Sequence, residues 1–295
     1  MPQRVCCVRC SGVHGRMTFK THSVTGAETR TMAVSQRPSL DPAQKVRACL
    51  QVSPNCDWKH QTESPMPHRI MIKHASLHRG FSDAQDIVVV VDAFRAFATA
   101  CVVLAQSPAD YFVVADSATA SWLASRHSNA ILLGKPEIGA TLAYDLPNSP
   151  SRAAMVDLGG RTIIHRTSAG TRGVLLATRS SCVLAAAFGN VRATARYIHH
   201  LRPCSVTIVA TGHEGRTPAI EDRLCSRCIA AAIRGEAFDL SPYNRELREE
   251  SGRYLVGGPS DEYPAADLAM CLDVDRYDFA IQANLYSGYA SLVSA

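Results

Sequence analysis

The run Ile87-Val-Val-Val-Val91 constrains this chain more tightly than any other segment. Five consecutive β-branched residues leave no polar face. The segment therefore reads as a strand covered on both sides, as in a parallel sheet. Asp92-Ala-Phe-Arg95 follows at once, and Ala96, Phe97, Ala98, Ala100, Val102, Val103 and Leu104 then read as a helix. Asp92 and Arg95 thus stand at the carboxyl end of a strand, the edge where open α/β sheets hold ligands. A carboxylate and a guanidinium at that edge either form a site for an anion or a metal, or only pin the strand–helix turn.

From about His68 onward the pattern alternates. Strands are expected at Ile70–Lys73, Ile87–Phe94, Tyr111–Val114, Ala130–Leu133, Thr162–Arg166, Cys182–Phe188 and Ser205–Ala210. Helices are expected at Arg95–Gln106, Ala118–His127, Gly173–Thr178, Arg192–Leu201 and Ala219–Arg234, with a turn or two from Ser149. This alternation predicts an α/β fold, with a mostly parallel sheet covered on both faces. After a helix at Ala265–Leu272, the extended Tyr277–Ala283 is expected to add a further layer or an edge strand.

Residues 1–68 differ from the rest. They hold nine Lys/Arg and four Asp/Glu, which accounts for the whole net charge of +5, while the remainder has twenty-two of each. Without a helical or strand period they cannot bury enough apolar surface to offset ordering entropy, so they are expected to be a disordered, basic extension. The domain would then span 69–295. A start codon upstream of the true one would give the same appearance, with Met66 or Met71 as the first residue. Cys6, Cys7 and Cys10 with His14 supply half of a zinc knuckle, but only Cys49 and Cys56 follow. Eleven cysteines in a long α/β chain read as reduced thiols. The charge-neutral domain lacks the basic stripe of a nucleic-acid binder. No apolar signal core or membrane span is apparent, which points to a cytoplasmic protein without a membrane partner. Homo-oligomerisation is the general expectation for such a protein.

Four loops that follow strands carry polar residues beyond what a plain connection needs. The first holds Asp92 and Arg95. The second, Gly134–Pro150, is seventeen residues long, more than an ordinary connection requires. Asn148 or Ser149 before Pro150 reads as a helix start, which leaves Asp145 unexplained by capping. The third is Thr167-Ser168-Ala-Gly170-Thr171-Arg172-Gly173, either a simple turn or an oxyanion cradle strengthened by Arg172. In the fourth, Gly212 to Asp222, Thr217 and Pro218 read as a helix cap and first turn, followed by Glu221 and Asp222. His213 in this loop is a candidate general acid or an ordinary surface histidine. Gathered at one sheet edge, the loops set Asp92, Asp145, Glu221 and Asp222 against Arg95, Arg172 and Arg216. Oxygen ligands without a His/Cys cluster favour Mg²⁺ or Mn²⁺ over zinc. Carboxylates and arginines around a phosphate suit phosphoryl chemistry. Cys225-x-x-Cys228 lies inside a helix, away from any strand end, which argues against a redox role.

In this order, Val91 to Ala96, Asp145 with Asn148-Ser149-Pro150, Thr167 to Arg172, and Gly212 to Asp222 resemble the 2-phosphosulfolactate phosphatase family. Leu272 to Phe279 is similar to the family's C-terminal end. The resemblance spans about residues 69–283. It implies a three-layer α/β/α fold with a mixed sheet and a Mg²⁺-dependent hydrolase of (R)-2-phospho-3-sulfolactate, a step toward coenzyme M. On this reading Asp92, with Glu221 or Asp222 and with Asp145, holds the metal, and Asp92, Arg95, Glu221 and Asp222 form the catalytic set. Asn148, Ser168, Gly170, Thr171, Arg172 and Arg216 would contact a small anionic phosphoester. The long loop departs from the pattern. Where the family usually shows Gly-Glu, then Gly-Phe-Asp and Gly-Asn-Ser-Pro, this chain has Gly134-Lys135, Ala143-Tyr144-Asp145 and Pro147-Asn148-Ser149-Pro150. Reversed charge at Lys135 and two lost glycines also fit an inactive descendant that binds an anionic metabolite.

Removal of residues 1–68 is expected to leave melting temperature and any activity unchanged. A large drop in either would show that the segment packs on the domain.

Overall fold

The computed structural model describes residues 69–81, 84, 86–135, 141–256 and 263–295. The extension at 1–68 and its cysteine cluster lie outside these residues.

Among the described residues, nine strands form one sheet in the order β1-β7-β2-β6-β8-β9-β3-β5-β4. They are β1 (Met71–Ser76), β2 (Ile87–Val91), β3 (Asp110–Val114), β4 (Ala130–Gly134), β5 (Thr162–Arg166), β6 (Cys182–Ala186), β7 (Ser205–Ala210), β8 (Ile281–Leu285) and β9 (Tyr289–Ser294). Two parallel blocks, β1-β7-β2-β6 and β3-β5-β4, flank the antiparallel pair β8–β9. β6 pairs antiparallel with β8, and β3 with β9. The expected further layer or edge strand at the C-terminus is thus corrected. The hairpin lies inside the sheet and joins its two halves, and Tyr289–Ser294 is a strand the sequence pattern did not reveal.

All five residues of β2 are buried. Val88 and Val90 enter the core on one face, while Ile87, Val89 and Val91 enter the core on the other. This is the period-2 alternation of a strand with no solvent face. The first face is covered by α1 (Ala96–Ala105), α3 (Pro150–Ala153) and α4 (Ala169–Leu176); α2 (Ser117–Ala124) packs a smaller cluster with Val114 and Ile164. α1 is apolar all round and buried along nearly its whole length, as such a composition requires. The second face carries α5 (Val191–Leu201) and α6 (Ile220–Arg234). α7 (Arg253–Val256) and α8 (Ala266–Cys271) complete the chain before β8.

Ser149 caps α3 by accepting the Arg152 N–H at 3.2 Å, with Pro150 in the first turn, as its sequence indicates. α4 begins at Ala169, earlier than the expected Gly173. Its glycines masked the helical pattern. α6 begins at Ile220 after Ala219, so Thr217 and Pro218 do not start it; the Thr217 carbonyl instead accepts the His213 N–H at 2.8 Å. The described cysteines Cys101, Cys182, Cys204, Cys225, Cys228 and Cys271 are free thiols. No helix among the described residues is long and apolar enough to cross a membrane.

Truncation after Leu272 removes the central hairpin and bares the edges of β3 and β6 in the middle of the sheet. Unpaired interior edges template aggregation. The truncated chain is therefore expected to lose soluble yield and cooperative melting. A soluble, cooperatively melting product would mean that the two blocks hold together without the hairpin.

Candidate active site

The carboxyl ends of β2, β4, β5 and β7 border a cleft of about 720 Å³. Two buried aspartates line it. Asp92, immediately after β2, accepts the Ala96 N–H on Oδ1 at 3.2 Å and the Gly170 N–H on Oδ2 at 2.9 Å. Glycine is required at 170 because a Cβ there would stand 2.8 Å from Asp92 Oδ2. Asp222, in the first turn of α6, accepts the Ala93 N–H on Oδ1 at 2.7 Å. Its Oδ2 accepts the Gly212 N–H at 2.8 Å and the Thr211 hydroxyl at 3.3 Å. These bonds fasten α6 to the ends of both β2 and β7.

Burial, helped by the nearby Glu221, outweighs the Ala96 and Gly170 amides and Arg95, and leaves the Asp92 carboxyl raised to about 6. Burial also pushes Asp222 well above the ordinary carboxylate range, reinforced by Asp92 and Glu221. Two crowded carboxyls therefore share a site that favours a proton or a cation. Glu221 turns aside to accept the Ser251 hydroxyl. Adjacent residues on a helix diverge by about 100 degrees, which accounts for the separate partners.

Opposing these carboxylates, Arg95, Lys135 and Arg166 also line the cleft. Arg95 is nearly buried, donates to Asp267 Oδ2 at 2.7 Å and lies 4.4 Å from the centre of the Tyr263 ring. Asp267 is fully buried and its Oδ1 accepts the Ser149 hydroxyl, the Ser151 hydroxyl and the Ser151 N–H. Arg166, at the end of β5, donates from Nη1 to the Lys135 carbonyl at 2.6 Å. The cleft is therefore polarised, with acids from β2 and α6 facing bases from β2, β4 and β5.

Among the described residues no three His, Cys, Asp or Glu side chains group as a metal cage. A two-carboxylate set nonetheless suits Mg²⁺, which keeps waters and takes substrate oxygens instead of a full protein cage. Each Asp92 oxygen accepts one hydrogen bond, as does Asp222 Oδ1, so lone pairs remain for a hard cation.

The structure brings Asp92, Arg95, Asn148, Ser168, Glu221 and Asp222 to the cleft lining. It does not bring Asp145 there. That residue is exposed, and its carboxylate accepts the Leu132 N–H at 2.8 Å while its own N–H donates to the Leu132 carbonyl. Asp145 thereby satisfies the open edge of β4. The Gly170 N–H is taken by Asp92, and Thr171 is buried with its N–H and hydroxyl on Thr167. Arg172 is exposed and outside the lining, as is Arg216, which pairs with Glu214 at 3.7 Å. The expected cradle is thus reduced to Thr167, Ser168 and Ala169 at the start of α4. Sequence reasoning missed Arg166, although a basic residue closing an apolar strand is a readable signal. It also missed Asp267, which meets Arg95 only across 172 positions of chain.

A family model described as 2-phosphosulpholactate phosphatase matches residues 73–250. The chain belongs to this family. A probable 2-phosphosulfolactate phosphatase of Thermoplasma acidophilum is 29% identical over 192 residues, covering 65% of this chain and 83% of its own. Proteins of the same description from Bacillus subtilis and Thermus thermophilus are 26% and 34% identical. They cover 51% and 44% of this chain, which in turn spans 65% and 55% of their lengths. The match to the 2-phosphosulpholactate phosphatase family contains Asp92, Arg95, Arg166, Glu221 and Asp222. It ends before Tyr263 and Asp267, so the clamp on Arg95 comes from outside the matched span.

An unfolded aspartate titrates near 3.8 and folded Asp92 near 6. Between those values the folded state binds more protons, so this contribution to stability is full below about 3.8 and is lost as pH rises through about 6. Melting of metal-free wild type and Asp92→Asn from about pH 4 to about pH 7.5 is expected to show the variant gaining relative stability across this window. A difference that stays constant with pH would mean that Asp92 carries no such strain.

Proposed function

We propose that the protein is a Mg²⁺-dependent phosphatase that hydrolyses 2-phosphosulfolactate or a similar small anionic phosphomonoester. The observation that carries this reading is the polarised cleft, in which Asp92 and Asp222 stand against Arg95, Arg166 and Lys135. The names of the relatives support the substrate, and on this reading the reaction is a step toward coenzyme M carried out in the cytoplasm.

Asp92 and Asp222 would hold Mg²⁺, whose charge offsets that of the phosphoryl oxygens and of the two carboxylates themselves. Arg95, fixed by Asp267 and Tyr263, binds a phosphate oxygen, and the Thr167–Ala169 turn borders the same group. Water attacks phosphorus in line as the bond to the substrate alkoxide breaks. Glu221 takes the proton of the attacking water. His213, exposed on the cleft wall, returns a proton to the departing alkoxide. Arg166 and Lys135 meet the second anionic group that distinguishes such a substrate from a simple phosphomonoester. Positioning and charge neutralisation supply most of the rate in reactions of this kind.

A second reading is favoured by Lys135, a base on the cleft wall where the family usually carries an acid. Here the cleft binds an anionic metabolite without turning it over. A screen of small phosphomonoesters, including 2-phosphosulfolactate, with and without Mg²⁺ separates the two. Turnover only with Mg²⁺ supports the phosphatase, and binding without turnover supports the second reading.

Arg166→Ala and Arg166→Lys are both expected to weaken substrate binding, because the lysine keeps charge but loses the guanidinium fork. Loss of one charge-assisted contact corresponds to about 1.5–3 kcal/mol, roughly ten- to a hundredfold in affinity. Arg172→Ala is expected to leave affinity within about twofold, since its side chain lies off the lining. The opposite ranking would move the anion site to the start of α4.

A further inference from the structure

Behind the basic side of the cleft, a polar chain runs out of the core. Tyr111 and His165 are both buried, and the Tyr111 hydroxyl lies 2.6 Å from His165 Nδ1. On the other side of the ring, His165 Nε2 lies 3.1 Å from Asn148 Oδ1. Asn148 lines the cleft beside Arg95, Lys135 and Arg166.

The direction of these bonds follows from proton accounting. Burial, helped by Arg95, lowers His165 to about 3, so the ring is neutral with one N–H and one lone pair. Burial raises the Tyr111 phenol well above 10, which keeps its hydrogen in place. If Nδ1 carried the ring proton, it would donate to the phenolic oxygen. The phenolic hydrogen would then need another acceptor. Among the described residues Tyr111 has no hydrogen-bond partner other than His165. Stranding a buried O–H is unfavourable, so the phenol donates to Nδ1 and the ring proton sits on Nε2. Nε2–H in turn donates to an oxygen, which orients the Asn148 amide with its carbonyl inward. Its NH₂ group is left to the cleft.

We infer that Tyr111 and His165 are positioning residues that hold the Asn148 amide with its NH₂ toward the cleft, as a donor to an oxyanion of the substrate. This rests on the reading of the cleft as a site for an anionic phosphoester and adds the device that prevents one wall from presenting an acceptor. A flipped amide would turn a carbonyl oxygen toward the anion. The hydroxyl of a residue outside the cleft thereby sets the polarity of a contact inside it.

The tautomer is tested without turnover. In ¹⁵N-labelled full-length protein, the His165 ring, assigned by its absence from His165→Gln, is expected to show a protonated Nε2 and an unprotonated Nδ1. A protonated Nδ1 would overturn the inference. Calorimetric titration with inorganic phosphate tests the consequence. Asn148→Asp keeps the shape and still accepts from Nε2–H but turns an oxygen to the cleft, so phosphate binding is expected to weaken about tenfold or more. Tyr111→Phe releases the tautomer and is expected to weaken binding by roughly three- to tenfold while mixing the two ring signals. Asn148→Asp binding as tightly as wild type, or Tyr111→Phe leaving both tautomer and affinity intact, would also overturn it. If the wild type binds no phosphate, the reading of the cleft fails, and the ring tautomer alone decides the orientation of Asn148.

Discussion

The architecture around the cleft depends on two buried carboxylates held close together against their mutual repulsion. Asp92 and Asp222 come from elements 130 residues apart in sequence. Each is held by backbone amides, Asp92 by Ala96 and Gly170, Asp222 by Ala93 and Gly212. Those amides belong to the ends of β2 and β7 and the first turns of α1 and α4, so the pair stitches the carboxyl edge of the sheet together. Hydrogen bonds to the charged form pull both carboxyls down, while burial and proximity push them up, and the latter prevail. The fold thus maintains a site whose charge is incomplete without a proton or a cation.

The basic side of the cleft is built on different physics. Arg95 and Asp267 are a buried ion pair, and removing one partner of such a pair costs about 3–5 kcal/mol. Asp267 also receives Ser149 and Ser151 at the start of α3, so one carboxylate aligns the guanidinium, the short helix and the end of the long loop. Here charge is neutralised within the protein, and the result is rigidity. Asp92 and Asp222 have no such internal partner of opposite charge at bonding distance among the described residues. That contrast leaves Arg95 rigidly placed on the cleft wall and leaves Asp92 and Asp222 open to a proton or a cation.

The C-terminal hairpin links both halves of this arrangement. By pairing with β6 and β3 it joins the block that carries Asp92 and Asp222 to the block that carries His165 and Arg166. The two sides of the cleft are therefore set by strands that complete the sheet last in chain order. The relative placement of acids and bases depends on the closing segment of the chain.

Much of this was legible in the residues alone. The five-residue apolar run fixes β2 as a two-faced strand, because no other element buries five consecutive β-branched side chains so well. Asp92 and Arg95 follow from it, since whatever succeeds a parallel strand lies at the ligand edge. Ser149-Pro150 identifies a helix start by local chemistry, whereas Glu221 and Asp222 fall in the first turn of a helix that begins after Ala219 without the Thr217-Pro218 cap its sequence suggests. The position of β8 and β9 was decided only by tertiary structure, because pairing partners are set by long-range hydrogen bonds that leave no local period. The same holds for Asp267 as the partner of Arg95 and for Asp145 as the cover of an open strand edge. Arg172 lies exposed off the cleft lining, while the first turn of α4 directs its amides at Asp92 and Thr167, an arrangement no dipeptide encodes. Sequence determined which loops reach the carboxyl edge, through periodicity that acts over a few residues. Which of them face one another was decided by packing between elements far apart in the chain, where burial and charge are shared.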